Sequence, residues 1–209
     1  MDHLKLMIVE DDPHWLKLLT QMLNEEPEFL VVGTADHYEE AIRLYDQLKP
    51  DIVLIDVILG NDQNGGIKTA AELGARSAPP DIIMLTSMTD AHIVTESFAA
   101  GAVQYIAKKN YKELPGTIRS LHRDFSPLSL LLDDYRRLRV EEQLKELTPS
   151  ERHIFELVEQ GMSMSQIEQQ LFKSHSTVKN QMNKILKKLG VSSRKEAIAK
   201  IKRKGVYKV

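Results

Sequence analysis

Residues Leu4–Pro13 read LKLMIVEDDP, and residues Asp51–Val57 read DIVLIDV. Both are short, almost continuously apolar runs, the pattern of strands whose two faces are covered. Both end in carboxylates: Glu10 and Asp11 close the first run, and Asp56 closes the second. Working outward, β-rich runs occur at Lys5–Val9, Phe29–Thr34, Ile52–Asp56, Asp81–Leu85 and Val103–Ala107. Helical periodicity fills the gaps at Pro13–Asn24, Tyr38–Leu48, Ile67–Arg76, Ala91–Ala100 and Leu114–Arg123. Strands alternating with helices predict a parallel sheet with helices on both faces.

The rest of the chain differs. After Phe125 the strand signal stops. Leu128–Leu147 reads as one helix with a leucine stripe, followed by four helices at Pro149–Gln160, Ser163–Leu171, Ser176–Leu189 and Ser193–Lys204. Charge divides at the same place: residues 1–124 hold 20 Asp/Glu against 11 Lys/Arg, and residues 125–209 hold 10 against 17. An acidic half joined to a basic half predicts two domains with different partners, the basic one facing nucleic acid. The 209 residues contain no cysteine, which excludes disulfides and thiolate nucleophiles and fits a reducing cytoplasm. No apolar run has the length of a membrane span, and the start carries no secretory pattern, so a cytoplasmic protein without a membrane partner is expected.

In an open parallel sheet, ligands bind beyond the carboxyl ends of the strands where strand order reverses; in the flavodoxin-like order 2-1-3-4-5 this lies between strands one and three. Glu10, Asp11 and Asp56 would meet there, with Thr86 ending the fourth strand and Lys108 the fifth. Packed carboxylates repel, and a bound dication removes the conflict; an all-oxygen donor set favours Mg²⁺. Asp56 then stays ionised and can attack phosphorus to give an aspartyl phosphate. Lys108 would supply positive charge to a phosphoryl oxygen, and Thr86 a hydrogen bond.

These motifs carry a family resemblance. With IVEDDP, DIVLIDV, MLTS and GAVQYIAKK, the first ~125 residues resemble the receiver domain of two-component response regulators. The resemblance implies that Asp56 is the phosphoacceptor and that a sensor histidine kinase is the donor. It implies that Asp11, Asp56 and the Ile58 carbonyl hold Mg²⁺, and that Thr86 and Tyr105 form a switch pair. Two departures stand out: the stretch after the acceptor, VILGNDQNGG, is a residue longer than usual and lacks a proline, and Lys109 replaces the proline common after the strand-five lysine.

In the basic half, two short helices joined by Phe172–His175 read as a helix-turn-helix. The second helix has Val178, Met182, Ile185 and Leu189 on its apolar face, leaving Lys179, Asn180, Asn183 and Lys187 outward. Lys179, Asn180 and Asn183 would face base edges in a double-stranded DNA operator, whereas Lys184, Lys187 and Lys188 suit phosphate contact or a solvated flank. About 60 residues, from LTPSER through STVKNQMNKILKKLGV to SSRKEAI, resemble the LuxR-type output domain of the NarL/FixJ subfamily. The expected organisation is a receiver over residues 1–125, a helical linker over 126–146 and a LuxR-type helix-turn-helix domain over 147–209. The resemblance also implies a homodimer in the active state, paired through the last helix.

The function expected is transcription regulation controlled by phosphorylation, not enzymatic turnover. Two other readings share the residues. One is a Mg²⁺-dependent phosphohydrolase with an aspartate nucleophile, although Ile58 stands where the haloacid-dehalogenase type has a second Asp. The other is a transcription factor whose receiver works without phosphate, a reading the loop after Asp56 keeps open. The seven histidines show no metal-ligand spacing.

Overall fold

The computed structural model describes residues 3–76, 78–123 and 127–202, apart from the side chains of residues 122–123, 127–129, 133, 199 and 202. The chain forms two compact units, Met1–Tyr135 and Arg136–Val209.

In the first unit, β1 (Leu4–Val9), β2 (Phe29–Ala35), β3 (Ile52–Ile55), β4 (Asp81–Thr86) and β5 (Gln104–Ala107) form one parallel sheet in the order β2-β1-β3-β4-β5. The expected α/β flavodoxin-like order is therefore present. Helices α1 (Pro13–Asn24), α2 (Tyr38–Leu48), α3 (Gly65–Gly74), α4 (Ala91–Ala100) and α5 (Leu114–Arg123) connect and follow the strands. The β3 and β4 interiors are buried residue by residue, as their unbroken apolar runs require. Leu6, Ile8, Leu54, Ile83 and Leu85 share one core with Leu19, Leu23 and Ile118 from the helices.

Local chemistry sets the helix ends. Asp12 accepts from the His14 and Trp15 N–H groups and Pro13 opens α1, so the first turn is capped immediately beside the Glu10-Asp11 pair. Gly101 ends α4 at φ 117°, a conformation that costs other residues a Cβ clash. The strand ends shift by one residue from the sequence expectation, and the larger differences follow β3 and β5. Helix α3 runs Gly65–Gly74 rather than Ile67–Arg76, and a 3-10 segment, Lys108–Glu113, follows β5 at once.

Helix α6 (Pro127–Leu144) stops three residues before the expected Leu147. Thr148 is the reason. It adopts extended backbone as the N-cap of α7 (Pro149–Glu159), where its hydroxyl accepts from the Glu151 N–H and the Glu151 carboxylate accepts from its own N–H. The division between the two units falls inside α6. Leu131 and Leu138 are exposed on α6 and Leu132 is buried, while the Leu128 side chain lies outside the described residues.

The second unit continues with α8 (Met164–Leu171), α9 (His175–Leu189) and α10 (Arg194–Lys202) around Ile154, Phe155, Ile167, Val178 and Ile185. Helix α9 begins one residue earlier than expected because Ser174 caps it, accepting from the Thr177 N–H. Gly190 closes it in the left-handed conformation, and Lys200 donates to the Leu189 carbonyl.

Glu151 ties α7 to α9 through the Lys188 ammonium at 2.6 Å. That hydrogen bond, followed by the Thr148 N–H, holds the Glu151 carboxyl at about 2, below its ordinary 4.5. A depressed acid stabilises the fold above its unfolded value and loses that contribution as pH falls toward the folded one. Lys188 is one-third exposed, so screening reduces the linkage to about 1–2 kcal/mol. Glu151→Gln should therefore lower stability by that amount at pH 7. In urea melts the gap from wild type should close as pH drops from 4.5 toward 2, the window set by the two values.

Candidate functional site

The site forms where β1 and β3 lie side by side. Val9 pairs with Ile55, and the Asp56 N–H donates to the Val9 carbonyl at 2.9 Å, so the two strands deliver Glu10, Asp11 and Asp56 to the same edge. Carboxylate oxygens of these three residues lie within 4.8 Å of one another. Glu10 and Asp56 are buried and Asp11 is exposed. Beyond β4, Thr86 is paired with Ala107, which places Lys108 at the mouth of the same edge.

The Lys108 ammonium reaches both acids. It donates to Asp56 Oδ2 at 2.6 Å and to Glu10 Oε1 at 2.9 Å, and lies 2.7 Å from Glu10 Oε2. All three side chains are at most 10% exposed, so this is charge pairing out of water. Burial works against the Lys108 charge, but its hydrogen bonds to Asp56 and Glu10 outweigh it and raise the lysine pKa. Burial also raises Glu10 above the ordinary carboxylate range, and Lys108 only partly pulls it back. The two directions agree physically: one ammonium serves two buried carboxylates, and the desolvation of Glu10, the more buried of the two, is not fully offset.

Asp56 Oδ1 is buried and has no hydrogen-bond partner among the described residues. Such an atom is rare without an ion or water to satisfy it. Asp11 accepts from the Gly60 N–H at 3.0 Å, which draws the loop after Asp56 back over the acids. In that loop Leu59 and Asp62 form an isolated bridge, and Ile58 is half-buried. The all-oxygen donor set, the uncompensated negative charge and the orphaned Oδ1 fit a hard divalent cation.

Thr86 and Tyr105 meet at Met88. The Met88 N–H donates to Thr86 Oγ1 at 3.3 Å, and the Tyr105 hydroxyl donates to the Met88 carbonyl at 2.6 Å. One residue of the loop before α4 is thus held from both strands. Burial, then the charges of Asp56 and Asp90, push the Tyr105 hydroxyl up to about 12.

Sequence reasoning missed the neighbours of Lys108. Trp15 on α1 presents its ring 5.1 Å from the ammonium, and Tyr111 meets that ring edge-on at 5.5 Å and 82°. The available signal was a single tryptophan four residues past Asp11. Asp36, His37 and Glu40 also bring ligand atoms within 4.8 Å, a convergence that histidine spacing did not suggest. There the His37 ring is hydrogen-bonded to Asp36 and Glu40 pairs with Arg43, near the surface.

In the second unit, Val178, Met182, Ile185 and Leu189 are buried, and Lys179, Asn180, Asn183, Lys184 and Lys187 are exposed. Lys188 stands apart from that row. Its ammonium is held by Glu151 and the Glu146 carbonyl, a tie between α9 and the start of α7. His175, the first residue of α9, is linked through Nδ1 to Glu168 of α8 at 2.6 Å. Lys173 in the intervening turn donates to Gln181 at 3.2 Å.

Residues 6–119 match the family model of the response regulator receiver domain, more than half of the chain, and residues 145–201 match that of bacterial regulatory proteins, luxR family. The chain belongs to the NarL/FixJ subfamily of response regulators. The regulator is 30% identical to the transcriptional regulatory protein DesR of Bacillus subtilis (strain 168), over 98% of this chain and all of that one. It is 26% identical to the nitrate/nitrite response regulator protein NarL of Escherichia coli (strain K12), over 97% of this chain and 96% of that one. Among solved structures, a LuxR-family two-component response regulator from Aurantimonas sp. SI85-9A1 matches with TM-score 0.54 and 26% identity, covering 65% of this chain and 99% of that one. Salmonella typhimurium RcsB, at 22% identity and TM-score 0.54 over 92% of this chain and 95% of that one, shares the fold. With both domains in one chain, the regulator is a DNA-binding transcription regulator of a two-component system, not an enzyme. No helix among the described residues is long and apolar enough to cross a membrane.

Proposed function

We propose that this regulator works in the cytoplasm, that Asp56 is its phosphoacceptor, that a sensor histidine kinase supplies the phosphoryl group, and that phosphorylation controls operator binding. The observation that carries the reading is the Asp56 carboxylate itself. It is buried between β1 and β3, with one oxygen on Lys108 and the other without a partner among the described residues. Glu10, Asp11, Asp56 and the Ile58 carbonyl would hold Mg²⁺. When bound, that ion would offset the clustered carboxylates and the charge of an incoming phosphoryl group.

The chain's own residues account for the rest. The site keeps Asp56 close to a cation and out of bulk water, which suits a carboxylate nucleophile. Lys108 gives up one carboxylate contact and takes a phosphoryl oxygen. The product adds roughly −1.5 to −2 charges at the strand ends. Thr86 is the nearby hydroxyl that can turn toward this charge, and doing so releases the Met88 N–H it now accepts from. Tyr105 holds the carbonyl of the same residue, so both switch side chains act on Met88 and change the surface around α4 and β5.

The receiver then comprises residues 1–125, the linker 126–146 and the DNA-binding domain 147–209. In the active homodimer, exposed Leu131 and Leu138 of the linker and helix α10 are the pairing surfaces. Two output domains would address half-sites of double-stranded DNA about one turn apart.

The deciding experiment is phosphotransfer from acetyl phosphate with Mg²⁺, followed by sedimentation. Wild type should take up one phosphoryl group and dimerise, and Asp56→Asn should do neither. Stoichiometric uptake by Asp56→Asn would overturn the acceptor assignment, and phosphate-independent dimerisation would favour a receiver that works without phosphate.

On DNA, the roles of the exposed row separate. Lys179→Ala should cost about 1–3 kcal/mol on a selected operator and relax preference at one base position. Lys187→Ala should weaken binding to all sequences alike and reduce the salt slope by about 1. Binding titrations at several salt concentrations check both; unchanged affinity and preference in Lys179→Ala would remove α9 from the groove.

A further inference from the structure

The Lys108 ammonium has three N–H donors and three carboxylate oxygens within 2.9 Å, two from Glu10 and one from Asp56. Two of these contacts are hydrogen bonds, to Glu10 Oε1 and Asp56 Oδ2, and the contact to Glu10 Oε2 is an ion pair. To meet a phosphoryl oxygen the ammonium has to shift among these contacts, and the lysine stem is flexible. What keeps the ammonium in place during that exchange is a surface that attracts charge without using a directional bond. The face of an aromatic ring is such a surface.

Trp15 supplies it. Its ring lies 5.1 Å from Lys108 Nζ, and both the backbone that carries the ring and the ring itself are held. On one side, Asp12 accepts from the Trp15 backbone N–H and fixes the first turn of α1 directly after Glu10 and Asp11. On the other, Tyr111 in the segment after Lys108 packs edge-on against the ring, the favourable arrangement of two quadrupoles. Trp15 and Tyr111 are partly buried against the receiver core, so the ring is anchored and cannot drift with solvent.

We propose that Trp15 is a positioning residue for phosphoryl transfer, holding the Lys108 ammonium over its ring while that ammonium passes from carboxylate to phosphoryl oxygen. This rests on Asp56 being the acceptor. In the transfer tested, an Asp56 oxygen forms the new O–P bond as the P–O bond to acetate breaks, and acetate leaves with the electron pair. Trp15 touches neither reacting atom and acts through Lys108.

The test is the rate of phosphoryl uptake from acetyl phosphate with Mg²⁺, in the full chain. Trp15→Leu keeps apolar bulk but loses the π face and should slow uptake about 3- to 30-fold. Trp15→Phe restores a face and should recover most of the rate. In a Lys108→Met background, Trp15→Leu should cause no further loss, since the ring has no ammonium left to hold. Equal slowing in that background, or a Phe variant as slow as the Leu variant, would overturn the proposal and leave Trp15 as packing only. Proton NMR gives a readout independent of transfer: the Lys108 side-chain methylenes should carry an upfield ring-current shift that disappears in Trp15→Leu. No uptake by wild type would refute the acceptor reading, and with it the transfer role; absence of the ring-current shift would refute the contact alone.

Discussion

Replacing Gly66 by alanine should destabilise the receiver by about 3–5 kcal/mol, a loss reserved for atoms forced into backbone. A Cβ at Gly66 would lie 1.7 Å from the Asp56 carbonyl oxygen, 2.7 Å from its carbonyl carbon and 3.0 Å from Val57 Cα. None of these is the far end of a side chain that can swing aside. The contact is also bonded, because the Gly66 N–H donates to the Val57 carbonyl at 2.9 Å, so α3 cannot back away without breaking it. Relief would have to come from moving Asp56 or the start of α3, and either disturbs the acid cluster. Gly60 is the control. It has φ +60° but nothing within 4 Å of an added Cβ, so Gly60→Ala should cost only about 1–2 kcal/mol of left-handed strain. Urea melts of the two variants check the contrast, and equal losses would refute the steric account.

The same glycine shows where sequence reading stops. Gly65-Gly66 reads as loop because glycine is a poor helix residue, yet the packing of α3 against Asp56 leaves no space for anything larger. The sheet itself is legible, since LKLMIV, DIVLI and DIIMLT are short, nearly continuous apolar runs that alternate with helical periodicity, as strands covered on both faces require. The convergence of Glu10, Asp11 and Asp56 is legible as well, because strand ends and sheet order place them without side-chain detail. The Lys108–Glu113 segment is not, as KKNYKE carries no hydrophobic period. Ser174, Ser176 and Thr177 all suit an N-cap, and only the structure shows that Ser174 takes the role. Trp15 and Lys188 share another difficulty. Each has a pattern-consistent reading, as an amphipathic helix residue and as a surface lysine, while its partner lies on a distant element.

The second large effect concerns charge at the acid cluster. Lys108→Met keeps the length and apolar stem of the side chain but removes the ammonium that serves Glu10 and Asp56. Breaking a buried pair from one side commonly costs about 3–5 kcal/mol, because the remaining charge stays out of water. Here two buried carboxylates are left, and the cost has an outlet. Burial already lifts Glu10 above its ordinary value, so without Lys108 it rises further and the folded state binds a proton more readily than the unfolded chain does. For an acid raised on folding, stability is lost as pH climbs from the unfolded value through the folded one. The deficit of Lys108→Met should therefore be small near pH 4 and reach its full size around neutrality. A divalent cation offers a second outlet, since it replaces the missing positive charge. Mg²⁺ at neutral pH should raise the stability of Lys108→Met more than that of wild type, by mass action on the folded state alone. Urea melts at both pH values, with and without Mg²⁺, separate this account from simple loss of packing, for which the deficit would be the same under all four conditions.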